Sequence, residues 1–421
     1  MGAKSKFSQS AIHVKLRYGW VVAIAGCVIL VAAQNIQYSF GVFLKPLINQ
    51  FGWSRTAISG CVTIRSIIGG SMSPISGILS DRYGPKKLIF MGVLIVGLSY
   101  LWASRLSSLW ELYLTLGVLT GLGTGSILTP LVATTTRWFG SRAGLANGIV
   151  MSGFSISQVI LPLVVTYLIL QYSWSTCLII LAIAALGVGL GAGSFVKPPP
   201  RSVTNLNTSP RTGNMDTSVE EPPATGNYSM SEAFRTSTLW LLLIINMIVA
   251  ICYQMVVVHI VAAAVDEGAT LEAAAIILSI SGVTGMLGRI IIGGLANKFG
   301  AKIVLALCLA IQGPVLFFLA GASDIRLFYV YCAIFGFAYA GTTPIIPTMA
   351  ASLFGTRSVG SIFGILNLGY TFGVAIGPLL AGYTFDVSGS YSGAFLSAAG
   401  ALFLSILLCL VIKKPKAKSL I

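Results

Sequence analysis

The stretch S-D-R-Y-G-P-K-K, Ser80 to Lys87, decides the architecture, because it returns in weakened form as A-N-K-F-G-A-K, Ala296 to Lys302. Asp81 and Asn297 stand 216 positions apart. A second pair follows in the same order: W-F-G-S-R at Trp138–Arg142 and L-F-G-T-R at Leu353–Arg357, offset by 215. Two echoes at nearly one offset read as an internal duplication of about half the chain.

What surrounds these loops is apolar. The chain has 421 residues, 56% of them hydrophobic and only 9% charged, with a mean hydropathy of +0.89. A soluble domain is about a quarter charged. A water-soluble enzyme, a secreted disulfide module and a disordered chain are thereby disfavoured. A helix needs about 20 apolar residues to cross the hydrocarbon. The pattern predicts twelve spans, at 20–44, 54–79, 86–104, 110–136, 144–170, 174–196, 238–264, 270–296, 301–320, 326–350, 359–384 and 391–412. The expected class is an all-α polytopic membrane protein of two pseudo-symmetric six-helix bundles. The expected division is 1–196, a Pro/Ser/Thr-rich linker at 197–237, and 238–421.

Charge sets the expected orientation. Of 26 basic residues, 20 fall in the terminal segments, the linker and one set of alternating short loops. The opposite set holds Lys45, Arg55, Arg105 and Arg326. The positive-inside rule then places both termini in the cytoplasm of a multi-pass cell-membrane protein. Spread over inner loops, the +15 net charge implies lipid rather than nucleic acid as the neighbour. The seven cysteines show no metal-ligand spacing, and no nucleophile–base pair or nucleotide loop is evident. Neither an enzyme nor a cofactor or metal is expected.

Two arginines, Arg65 and Arg289, fall inside spans. None of the 11 acidic residues falls mid-span. A charge at membrane depth is costly and marks a cavity or pathway, and a guanidinium grips a carboxylate through two parallel hydrogen bonds. The substrate is therefore expected to be a small organic anion. For Arg289 the alternatives are snorkelling to the interface, from roughly 10 Å inside the predicted span end, or a structural carbonyl-binding role. Gln34, Tyr38, Tyr253, Gln254, Tyr331, Tyr339, Asn367 and Tyr370 are further candidate substrate contacts, each readable instead as interhelical glue. His259 is a candidate proton carrier. Asp81, Arg82, Gly84, Lys86, Arg142 and Arg357 form candidate gating loops.

The motif at Gly77–Lys86 resembles the loop signature of the major facilitator superfamily, and with the 6+6 repeat the likeness covers nearly the whole chain. Within it, R-W-F-G-S-R-A-G-L-A-N-G (Arg137–Gly148), Gly153 and Y-G-W (Tyr18–Trp20) are similar to the monocarboxylate transporter and oxalate:formate antiporter branch. The resemblance implies a secondary transporter of monocarboxylates of the lactate or pyruvate type, with proton symport, acting as a monomer. It also implies that Arg289 binds the substrate carboxylate. Three positions depart from the pattern. Gly285 stands where animal carriers have an aspartate, Tyr38 where they have a lysine, and Tyr370 where the oxalate carrier has its second basic residue. A dicarboxylate or oxalate/formate exchanger, an anion channel and a non-transporting sensor are the competing readings.

Overall fold

A computed structural model describes residues 2–139, 143–199, 228–355 and 359–413. It is helical throughout its long elements. The first half runs α1 (Gly2–Ala33), α2 (Asn35–Phe51), α3 (Arg55–Tyr83), α4 (Pro85–Ala103), α5 (Leu109–Leu112), α6 (Thr120–Phe139), α7 (Ala143–Gln171) and α8 (Trp174–Ser194). The second half runs α9 (Met230–Phe234), α10 (Ser237–Asp266), α11 (Leu271–Phe299), α12 (Ala301–Leu319), α13 (Ile325–Phe354), α14 (Val359–Ser388) and α15 (Ser392–Val411).

Among the described residues, eleven helical stretches are long and apolar enough to cross a membrane. The remaining expected span is present as α3, 29 residues long; its serines, glycines and arginines dilute its hydropathy. Two spans are less regular than the apolar pattern implied. The first is interrupted at Gln34, between α1 and α2. The fourth contains a π-helical segment at Tyr113–Leu119, between α5 and α6. Large apolar side chains are exposed along the helices, Ile78 at 72% and Ile290 at 70% among them. Such surface would aggregate in water but is matched to lipid.

The helices group into two compact units. One comprises residues 1–39, 67–161 and 167–215; the other comprises 40–66, 162–166 and 216–421. The core of the first unit is built from Val22, Ile29, Leu30, Ile89, Ile127, Leu131 and Val150, closed at one end by Trp138 and Phe139. The second unit takes in α2 beyond Ser39 and the first turns of α3.

The duplication is visible atom by atom. Gly84 and Gly300 end one helix and begin the next with φ of 89° and 88°, a left-handed conformation that suits glycine. Lys86 donates to the carbonyl of Ser194, and Lys302 to that of Leu410, each 108 residues along the chain. Both lysines thus tie the second loop of a half to the carbonyl end of its sixth helix, where a cation is favoured. Gly153 lies so near the Cys27 carbonyl that a Cβ would sit 2.7 Å from it, and Gly369 repeats this on Leu243 at 3.0 Å. In lipid, where apolar side chains gain nothing from avoiding solvent, such backbone proximity supplies packing energy.

Candidate functional site

Arg289 is carried by α11, ten residues before its end at Phe299. At 1.5 Å per residue this is about 15 Å of helix. The close seating of α11 on α13 fixes its surroundings. A Cβ at Gly336 would lie 2.5 Å from the Ser281 hydroxyl and 2.6 Å from its carbonyl, while Gly288 and Gly341 abut Phe337 and Ile292. The α10–α14 pair is seated equally closely: Gly373 lies against Met247, Gly377 against Ile251, and Asn246 donates to the Leu366 carbonyl at 2.8 Å.

These two helix pairs bring together four of the residues singled out by sequence. The Tyr253 and Tyr339 rings stack face to face, with centroids 3.5 Å apart and 4° between planes. The Tyr339 hydroxyl lies 3.2 Å from that of Tyr370. Arg289 is near enough for its charge to be felt at the Tyr370 phenol, after burial and the Tyr339 hydrogen bond. Arg289 and Tyr370 are half-buried, while Tyr253 and Tyr339 are buried. Gln254, beside Tyr253, is 1% exposed, and its amide nitrogen finds no hydrogen-bond acceptor among the described residues. A buried orphan donor costs about 1–3 kcal/mol and is chemically suited to a carboxylate or hydroxyl oxygen.

The other expected residues have surroundings of their own. Tyr331 stacks on the largely exposed Phe318. Asn367 is exposed. Arg65 is 5% exposed, ten residues into α3. In the first unit, Gln34 occupies the break between α1 and α2, and the Tyr38 ring meets Phe154 edge-on at 6.5 Å. Of the gating candidates, Arg82 is exposed and Gly84 and Lys86 have the loop roles described above. Arg142 and Arg357 lie outside the described residues, as does the Asp81 side chain.

His259 is fully buried in α10. Its Nε2 is 2.9 Å from the Pro378 carbonyl and 3.1 Å from the Ser59 hydroxyl, and its Nδ1 is 3.0 Å from the Tyr391 hydroxyl. A carbonyl only accepts, so Nε2 carries the hydrogen and Nδ1 is left to accept from Tyr391.

The Gly285 departure also has a geometric basis. A Cβ there would stand 3.2 Å from the Ala340 Cβ and 3.3 Å from the Gly336 carbonyl oxygen. The α11–α13 seam leaves little room for the aspartate of the animal carriers.

The chain matches the Major Facilitator Superfamily family model over residues 22–300 and 242–421. It belongs to that superfamily. This makes it a multi-pass membrane transporter and not an enzyme. It is 27% identical to monocarboxylate transporter 13 of Rattus norvegicus over 92% of this chain and 87% of the relative. It is 28% identical to monocarboxylate transporter 12 of Mus musculus over 93% and 84%. Among solved structures, a variant of the nucleoside transporter NupG superposes with a TM-score of 0.74 at 14% identity, covering 94% of this chain and all of the other. A bacterial homologue of the lysosomal transporter Spinster gives 0.66 at 16% identity, over 94% and 95%. At these identities the two structures speak for the fold alone.

Proposed function

We propose that this superfamily member carries small monocarboxylate anions of the lactate or pyruvate type by alternating access, together with a proton, in the cell membrane and with both termini in the cytoplasm. The functional unit is a monomer. The observation that carries the reading is Arg289, held deep in α11 beside the Tyr370 phenol and the Tyr253–Tyr339 stack. The relatives named monocarboxylate transporters support the same substrate class. In this mechanism the guanidinium takes the carboxylate through two hydrogen bonds, and the Tyr370 hydroxyl and the Gln254 amide bond the remaining oxygens. With glycine at 285, the proton has no aspartate one turn before Arg289 to ride on. The substrate's own carboxylate, paired with Arg289, takes and releases it.

The test is uptake by proteoliposomes of a panel of labelled mono- and dicarboxylates, with pH and internal counter-anion varied. Arg289→Lys keeps the charge but loses the two-pronged geometry. A charge-assisted hydrogen bond is worth about 1.5–3 kcal/mol, so lactate uptake should fall by roughly ten- to a hundredfold. Unchanged uptake in that variant would remove Arg289 from the site. Preference for dicarboxylates, with dependence on an internal counter-anion, would replace symport by exchange. Uptake indifferent to an inward proton gradient would remove the proton.

A further inference from the structure

A second polar cluster lies in the same unit, thirteen residues along α10 from Tyr253, about 20 Å of helix. Asp266 ends α10, and Asp386 lies near the end of α14. Both meet the short stretch of the first repeat that belongs to this unit. The Asp386 carboxylate accepts the backbone N–H groups of Arg55 and Thr56 at 3.0 and 2.9 Å, and the Thr56 hydroxyl at 2.5 Å. Those N–H groups open α3. A carboxylate from a helix over three hundred residues away therefore caps it, at the positive end of its dipole. The Arg55 guanidinium lies 2.6 Å from Asp266 and 2.5 Å from the Tyr391 hydroxyl, 3.4 Å above the Phe385 ring. Lys45 pairs with the same Asp266. Behind Tyr391, His259 joins Ser59 to the Pro378 carbonyl. Gly382 lets α14 approach: a Cβ there would be 2.8 Å from the Thr56 nitrogen.

Two bases of the first repeat thus share one acid of the second, Asp266, while its other acid, Asp386, caps α3. We propose that this cluster is a latch that closes one mouth of the transport path, on the face that the charge pattern assigns to the outside, and that it breaks and re-forms in each cycle. The proposal rests on the alternating-access reading above. The chemistry suits a reversible joint. Lys45 and Asp266 remain about a fifth exposed, so water replaces their partners when the joint parts, while Arg55, 8% exposed, is wetted only as the joint opens. An apolar weld of equal area offers no such exchange. His259 is the dry end of the latch; hydrogen-bonded on both ring nitrogens, it stitches α3, α10 and α14 together.

The test uses Ser59→Cys as a reporter, because Ser59 is fully buried against His259. A membrane-impermeant maleimide is applied to right-side-out and to inside-out vesicles holding the full chain. Alone, the reporter should label slowly. Combined with Asp266→Asn and Asp386→Asn, it should label at least tenfold faster in right-side-out vesicles only, while native Cys177 and Cys308, buried elsewhere, stay silent. An unchanged rate, or acceleration from the inside, would overturn the latch. If Cys177 and Cys308 also react, Thr56→Val, which removes one of the three bonds to Asp386, replaces the double variant and is read by the same two outcomes. Labelling needs no substrate. A protein that labels as expected but takes up no lactate keeps the latch and loses the substrate reading, and the converse loses the latch alone.

Discussion

Gly336→Ala tests whether backbone proximity between α11 and α13 positions the arginine. The new Cβ would lie 2.5 Å from the Ser281 hydroxyl, 2.6 Å from its carbonyl oxygen and 2.9 Å from its Cα. The hydroxyl can rotate away, but the carbonyl and Cα are backbone and cannot. Restoring an ordinary separation of 3.4 Å requires the helices to part by about 0.8 Å. Overpacking of this kind costs about 1–3 kcal/mol. The displacement falls where Tyr339 is one turn from Gly336 and Arg289 two turns from Ser281. A 1 Å misplacement of reacting groups can cost a hundredfold in an enzyme, and a loss of about tenfold or more in lactate uptake is expected here. Thermal unfolding in detergent should shift down by several degrees. Gly400→Ala is the control: its Cβ would meet nothing within 4 Å, and alanine is the better helix former by about 1 kcal/mol. Parental uptake and melting in Gly336→Ala would show that the seam tolerates a methyl group and that glycine packing does not hold the site.

Two further predictions follow from single contacts. Gly285→Asp should cut lactate uptake about tenfold, by crowding the α11–α13 seam, where a Cβ would stand 3.2 Å from that of Ala340, and by placing a carboxylate one turn from Arg289; a loss no greater than that of Gly285→Ala would mean that the charge of Arg289 is not what the substrate reads. Trp138→Phe removes the indole N–H that donates to the Lys197 carbonyl at 2.8 Å, and should lower the melting temperature slightly, for a loss of about 1 kcal/mol, with uptake retained.

The duplication was legible because its punctuation is chemically constrained. Gly84 and Gly300 adopt a conformation that other residues resist, and Lys86 and Lys302 each have a helix end to satisfy. Arg289 was legible because a cation inside an apolar run is conspicuous. The tyrosines were harder. Hydropathy and spacing separate neither Tyr339, which joins the group around Arg289, from Tyr331, which turns to Phe318, nor a buried Gln254 from a half-buried Gln34. The break at Gln34 and the π-helical segment at Tyr113–Leu119 left no apolar signal either, since both sit inside continuous runs. The charged cluster was half legible. Charge counting puts Lys45 and Arg55 on one face, but nothing in one dimension says which acid they meet.

The cap on α3 also has a consequence for biosynthesis. Arg55 is made 331 residues before Asp386, which accepts its backbone N–H. At synthesis rates of about 5–20 residues per second, that interval is roughly 15–70 s. Lys45 and Arg55 wait only until Asp266 is made, but the start of α3, where Ser54 caps the Ala57 N–H alone, waits the whole interval for the Asp386 carboxylate. The early chain is therefore an unfinished client whose exposed cations call for the insertion machinery, anionic headgroups or water as temporary counterparts. Its last stitch closes only when the penultimate long helix has been threaded.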